Sequence, residues 1–250
     1  MKKFVLTLLS IALMSTQLSA ESMKAKIGVS LPLTGEIAEY GVAVRNGIQL
    51  AQELLPKKLE NVDFIYEDNQ YEAKKSATAF NKLMNFDKVD LIFSWGELPL
   101  HSIAPIAERN KFPTMAMSFD PEPSLNKKYI MRSINYSDQY AEATLQYMRR
   151  KGFKKIAIVA AEDPFFNSLL KGLNKYKQSD ETIDVVFSFL PDISDFKTAV
   201  AKLKNSNYDI MGVYLFPGQV SNFFRQARAA GLTLPAFGTD IFESTTINPR

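Results

Sequence analysis

Apolar runs of five to eight residues alternate with longer stretches whose apolar positions recur at helical spacing, and this rhythm holds from about residue 26 to residue 238. Short apolar runs bounded by turn residues predict buried strands, and the 3.6-residue period predicts amphipathic helices. Strands are expected at 26–31 ("KIGVSL"), 62–66, 89–94 and 112–117. Helices are expected between them at 38–54, 72–85 and 99–109. In the helix at 72–85 the pattern places Ala73, Ala77, Phe80 and Met84 on the inward face. After "YIMRSI" (129–134) the theme restarts. Helices are predicted at 138–150, 165–177, 195–205 and 219–230, and strands at 155–161, 183–189, 208–215 and 234–238. Ser194 is the expected N-cap of the helix at 195–205, which turns Phe196, Val200 and Leu203 inward.

Apolar strands separated by amphipathic helices imply parallel sheets covered on both faces. Right-handed crossovers then gather the strand-to-helix loops at one edge, where ligands of open α/β sheets bind. The expected division is residues 1–20 as a signal peptide, 21–134 as a first α/β lobe and 135–250 as a second, partial one. The chain breaks between the lobes near 133–137 without a long linker, so the crossover itself is the expected hinge.

The first twenty residues stand outside this rhythm. "MKK" precedes the apolar run "FVLTLLSIALM" and then "STQLSA", the pattern of a secretory signal cleaved after Ala20. The run is too short for a membrane span, and no later segment reads as one. The chain has no cysteine, so an exported product gains no disulfides and depends on burial. Removing Lys2 and Lys3 lowers the formal charge from +3 to +1. The basic pairs are scattered, and the one run, "RRK" at 149–151, falls at a predicted helix end where cations are favoured. Nothing here reads as a nucleic-acid surface.

The strand-end loops carry the candidate chemistry. They read "PLTGEIAEYG", "EDNQYE", "SWGELPLH", "MSFDPEP", "AEDPFFN", "FPGQ" and "GTDIFE", with no Lys or Arg among them. A phosphate-rich ligand would need cations or a glycine loop, and neither dinucleotide nor P-loop motifs occur. Catalytic parts are sparse: His101 is the single histidine, and no serine sits in a nucleophile elbow. A secreted hydrolase would have to use His101. Glu67, Asp68 and Asn69 are adjacent rather than convergent and read as a solvated turn, so no metal or other cofactor is expected.

"RQARAAGL" (225–232), "IGVSLPLTG" (27–35), "APIAERNKFPTMAMS" (104–118), "KKIAIVAAEDPFF" (154–166) and "DFKTAVAKLKNSNYDI" (195–210) occur in order. Through them the chain resembles the periplasmic leucine/isoleucine/valine-binding protein family, the type I solute-binding proteins of ABC importers. The resemblance implies two doubly wound parallel-sheet lobes joined by a hinge. It further implies periplasmic location, no catalysis, an amino acid or similar small polar solute held between the lobes, and delivery to an importer's membrane permease. The alternative is a ligand sensor that signals to a membrane receptor.

By the same resemblance Asp240 falls where the family places the acid that meets a ligand ammonium. Tyr40, Phe166 (or Phe165 in the neighbouring register) and Phe216 fall on cleft aromatics. Ser118 and Asp120 fall where the family holds the ligand carboxylate, and Ser118 is the better partner because an Asp repels a carboxylate. The loop holding Trp95, Gly96 and Glu97 departs from the small, hydroxyl-rich family loop. It adds bulk and negative charge, which favours a more positively charged or larger apolar ligand. The plainer reading packs Trp95 into the lobe and leaves Glu97 in water. The family also continues well beyond "INPR", so a C-terminally truncated chain, with both lobes incomplete, is expected.

Overall fold

The structure is a computed structural model, and it describes residues 24–244. Two parallel sheets organise the chain. In the first, β1 (Ala25–Leu31), β2 (Val62–Asp68), β3 (Leu91–Trp95), β4 (Thr114–Met117) and β5 (Ile130–Arg132) lie in the order β2-β1-β3-β4-β5. In the second, β6 (Lys155–Ala161), β7 (Thr182–Phe189), β8 (Ile210–Tyr214) and β9 (Ala236–Phe237) lie in the order β7-β6-β8-β9. In each sheet the chain moves outward from its first strand and then switches to the other side. The switch leaves a crevice beside β1 and β6 at their carboxyl ends, where such folds bind ligands.

The crossovers of the first lobe are α1 (Ala38–Leu54), the single turn α2 (Pro56–Leu59), α3 (Ala73–Asn85) and α4 (Glu97–Asn110). Those of the second are α6 (Pro164–Tyr176), α7 (Lys197–Lys204) and α8 (Pro217–Ala229). They follow α5 (Ser137–Lys151), which begins that lobe after the crossing at Ser133–Tyr136. At the crossing, the Ser133 N–H donates to the Ala116 carbonyl (3.0 Å) and the Ser137 N–H to the Phe119 carbonyl (2.9 Å). The hinge is therefore tied to the β4 end, next to the crevice.

Several local expectations change. The inward face of α3 is Ser76, Ala79, Phe80 and Leu83; Ala73 is exposed and Ala77 and Met84 are only half-buried. Alanines at helical spacing suit either face, and the larger side chains Phe80 and Leu83 set the stripe. Ser194 does not cap α7. Gln226 of α8 does that work from outside: its amide oxygen accepts from the Phe196 N–H (2.7 Å) and its nitrogen donates to the Ser194 carbonyl (2.7 Å). Helix α4 starts at Glu97, two residues earlier than expected, after Gly96 at φ 98°.

The turn after β2 is not simply solvated. Asp68 accepts from the Leu33 N–H (2.8 Å) and the Thr34 hydroxyl (2.6 Å), and buried Asn69 donates to the Ser30 hydroxyl (3.0 Å). These bonds lock the loops after β1 and β2 together beneath the crevice. Residues 1–20, expected to form a signal segment, lie outside the described residues, as does the terminal "INPR".

Candidate functional site

A cavity of about 40 Å³ lies between the lobes at the strand ends. The first lobe contributes Ile37 and Tyr40 from the start of α1, Tyr71 from the turn after β2, Trp95 and Glu97 from the β3–α4 junction, and Phe119 after β4. The second lobe contributes Asp163 and Phe165 at the start of α6, Phe216 before α8, and Asp240 and Ile241 after β9. The volume has room for a few waters at most. The lobes are thus closed on one another, with the crevice filled by rings.

The rings form one connected set. Trp95 stacks on Tyr40 (5.4 Å between centroids, 18°) and meets Tyr71 at 6.0 Å. Tyr71 stands edge-on to Phe216 (6.3 Å), and Phe119 packs on Phe165 (5.3 Å). The Tyr40 hydroxyl is buried without a hydrogen-bond partner among the described residues. Burial and the nearby Asp240 charge raise its pKa. Gly96 is needed for the geometry: a Cβ there would lie 2.5 Å from a Tyr71 ring carbon, and its φ disfavours L side chains.

Among the described residues three carboxyls border the cavity and no basic side chain does. Glu97 is 4% exposed and accepts from the Phe119 N–H (2.6 Å). Burial pushes its pKa up to about 7 against that hydrogen bond, with the Asp163 charge adding to the rise. Asp163 is 3% exposed and caps α6 through the Phe165 N–H (2.8 Å). The Tyr71 hydroxyl also donates to it across the lobes (3.4 Å). Burial raises Asp163 to about 6. Asp240 sits at the more open mouth, and partial desolvation raises its carboxyl too.

Of the residues singled out in the sequence, Tyr40, Trp95, Glu97, Phe216 and Asp240 line the cavity, and Gly96 shapes it from behind. Phe166 does not line it. It is fully buried in the second-lobe core, stacked on Tyr214 (6.1 Å, 10°), and the alternative register, Phe165, faces the cavity instead. The first turn of a helix points successive residues about 100° apart, so a one-residue shift exchanges cleft for core.

Ser118 and Asp120 do not line it either. The Ser118 hydroxyl turns to the Asp120 carbonyl (3.4 Å), and the Ser118 carbonyl accepts from Arg132. Asp120 is paired with His101 (Oδ2 to Nε2, 2.6 Å) and accepts from the Glu122 N–H (3.0 Å). Burial raises the Asp120 carboxyl, but these hydrogen bonds and the His101 charge outweigh it and hold it below its ordinary value. The same bond raises His101. Neither His101, the residue a hydrolase would need, nor its partner Asp120 lines the cavity.

Tyr71 and Asp163 were not foreseen as site residues. Asp163-Pro164 is a readable helix start, but only the folded chain brings it against Tyr71, whose φ of 56° turns the ring inward.

The family model for periplasmic binding proteins matches residues 24–249. The chain belongs to that family. Among curated relatives, the Leu/Ile/Val-binding protein BraC3 of Rhizobium johnstonii is 27% identical over 198 residues, covering 74% of this chain and 53% of the relative. The leucine binding protein LivK of Thermotoga maritima superposes with a TM-score of 0.80 at 26% identity, over 87% of this chain and 63% of that one. A Rhodopseudomonas palustris solute-binding protein solved with benzoate gives a TM-score of 0.77 at 21% identity, over 87% of this chain and 62% of that one. This chain spans between about half and two thirds of the length of these relatives. The fold is the type I periplasmic binding protein fold. Proteins of this kind bind solutes rather than transform them, and they act in the periplasm or outside the cell.

Proposed function

We propose that this protein is the substrate-binding component of an ABC importer, holding an amino acid or similar small solute between its lobes and delivering it to a membrane permease in the periplasm. The observation that carries the reading is the ring-lined cavity between the carboxyl ends of two parallel sheets, bridged from both sides by side chains. The benzoate of the R. palustris protein and the leucine named for the T. maritima protein give the scale of ligand such a cleft accepts. In this reading the signal leaves after Ala20, and the lobes comprise 21–134 and 135–250. They part about residues 133–136 to admit the ligand and close over it. Asp240 accepts hydrogen bonds from a ligand ammonium, each charge-assisted bond contributing about 1.5–3 kcal/mol. Tyr40, Trp95, Phe165 and Phe216 supply the walls.

A thermal-shift screen against amino acids, amides, short-chain acids, amines and sugars tests this. One class should raise the melting temperature, because ligand binding to the folded state stabilises it by mass action. Asp240→Ala should lose that response. A cooperatively melting protein indifferent to every class would contradict the reading.

A further inference from the structure

We infer that the solute is a small organic cation without a carboxylate, a primary or quaternary amine, held among Glu97, Asp163 and Asp240 inside the aromatic box of Tyr40, Tyr71, Trp95, Phe119, Phe165 and Phe216. The inference rests on the solute-binding reading and narrows it to a ligand charge.

The argument begins with where an anion would have to sit. In an open α/β lobe the seats for a ligand carboxylate are the free N–H groups at helix N-termini and strand ends. Here the protein's own acceptors occupy a seat at each of three helix starts beside the cavity. At α4, Glu97 takes the Phe119 N–H (2.6 Å). The Gly96 N–H is bound to the Met117 carbonyl (2.9 Å). At α6, Asp163 takes the Phe165 N–H. At α8, Glu36 reaches across the lobes to the Gly218 N–H (3.0 Å). The positive ends of three helices are thus capped by carboxylates of the protein, and what the cavity presents is the carboxylates.

The surrounding charges agree. Groups around Glu97 are Asp163, Asp120, Tyr71 and His101, and those around Asp163 are Tyr71 and His101. The one cation among them, His101, is paired at 2.6 Å with Asp120, and the nearby Lys171 with Glu122 at 2.7 Å. An incoming carboxylate would meet three carboxyls and no basic side chain among the described lining residues, with the Tyr40 hydroxyl as a neutral donor. An ammonium would meet two nearly buried carboxyls and the faces of aromatic rings, whose negative quadrupoles attract cations most strongly when both are desolvated. It would also draw Glu97 and Asp163 back to their ionised forms. Amine binding should therefore release protons and strengthen as pH rises from 6 to 8.

Isothermal titration with ligands that share a frame but differ in charge tests this. The set is 3-methylbutylammonium, leucine and 4-methylpentanoate, together with benzylammonium and benzoate. The amines should bind, at least about tenfold more tightly than leucine, and the acids should not. Glu97→Gln keeps an acceptor for the Phe119 N–H. It should weaken amine binding by about tenfold or more and flatten its pH dependence. Leucine or either acid binding as tightly as its amine counterpart would overturn the inference while sustaining the solute-binding reading. Unchanged amine affinity in Glu97→Gln would overturn it as well. Binding by none of the five would overturn the inference, and the solute-binding reading would then stand or fall on the wider thermal-shift panel.

Discussion

The two lobes face the crevice differently. In the second lobe the cleft wall is the outer end of the core: Phe216 packs on buried Phe166 (5.5 Å), which stacks on buried Tyr214. In the first lobe the core of Phe80, Leu83, Ile92, Leu100 and Ile103 lies on one side of the sheet under α3 and α4, away from the cleft. Its cleft rings, Tyr40, Tyr71, Trp95 and Phe119, pack against the second lobe's core instead. On the far side α1 buries only Gly41, and Leu50 and Leu54 stay exposed at 53% and 70%. The second lobe thus holds its wall rigid whether or not the lobes meet. The first lobe's wall owes its burial to closure, so changes there should tell on binding more than on folding.

Four changes break or sharpen that contrast, the largest first. Phe166→Ala removes a fully buried ring from the second-lobe core and should cost about 3–5 kcal/mol in denaturant unfolding. Gly96→Ala strains a positive φ and drives a Cβ into Tyr71; it should cost about 1–3 kcal/mol. Trp95→Ala loses the stacks on Tyr40 and Tyr71 within the first lobe's cleft wall, outside its core, and should cost about 1 kcal/mol while abolishing ligand response. A Trp95 variant as unstable as Phe166→Ala would erase the distinction between the lobes.

The smallest effect is the pH dependence of the ligand-free protein. Glu97 rises from 4.5 to about 7 on folding and Asp163 from 3.8 to about 6, so the folded state keeps protons that the unfolded chain releases. Stability therefore falls as pH rises through that window. His101, also raised, adds stability below its ordinary 6.5 and loses it as pH climbs through its folded value. Asp120, held low, matters only when pH falls through its folded value, below 3.8. The melting temperature should drop from pH 5.5 to pH 8, and Glu97→Gln should lessen the drop. A melting temperature that rises over this range would contradict the assigned burial of these carboxyls.

Periodicity made the strands and helices legible because each element is amphipathic or wholly apolar over several turns, as in α7 with Phe196, Val200 and Leu203. The loops at the strand ends were legible for the same reason, since topology places them, and the family resemblance singled out residues within them. What escaped was orientation. Phe165 and Phe166 differ only by a helical rotation, the Ser118 hydroxyl turns to the Asp120 carbonyl, and His101 claims the Asp120 carboxylate from α4. Glu97 and Asp163 meet at one cavity only because two lobes close. Those are long-range pairings with no local signal.

Trp95 is the only tryptophan and stands inside the cavity, so its emission reports on that space alone. Titrating the protein with whichever solute raises its melting temperature, while recording Trp95 fluorescence, tests the central claim most directly. A saturable change in emission, with the same midpoint as the thermal response, is the result expected of a ligand held between the lobes. Stabilisation with no change at Trp95 would place the ligand elsewhere and contradict the account.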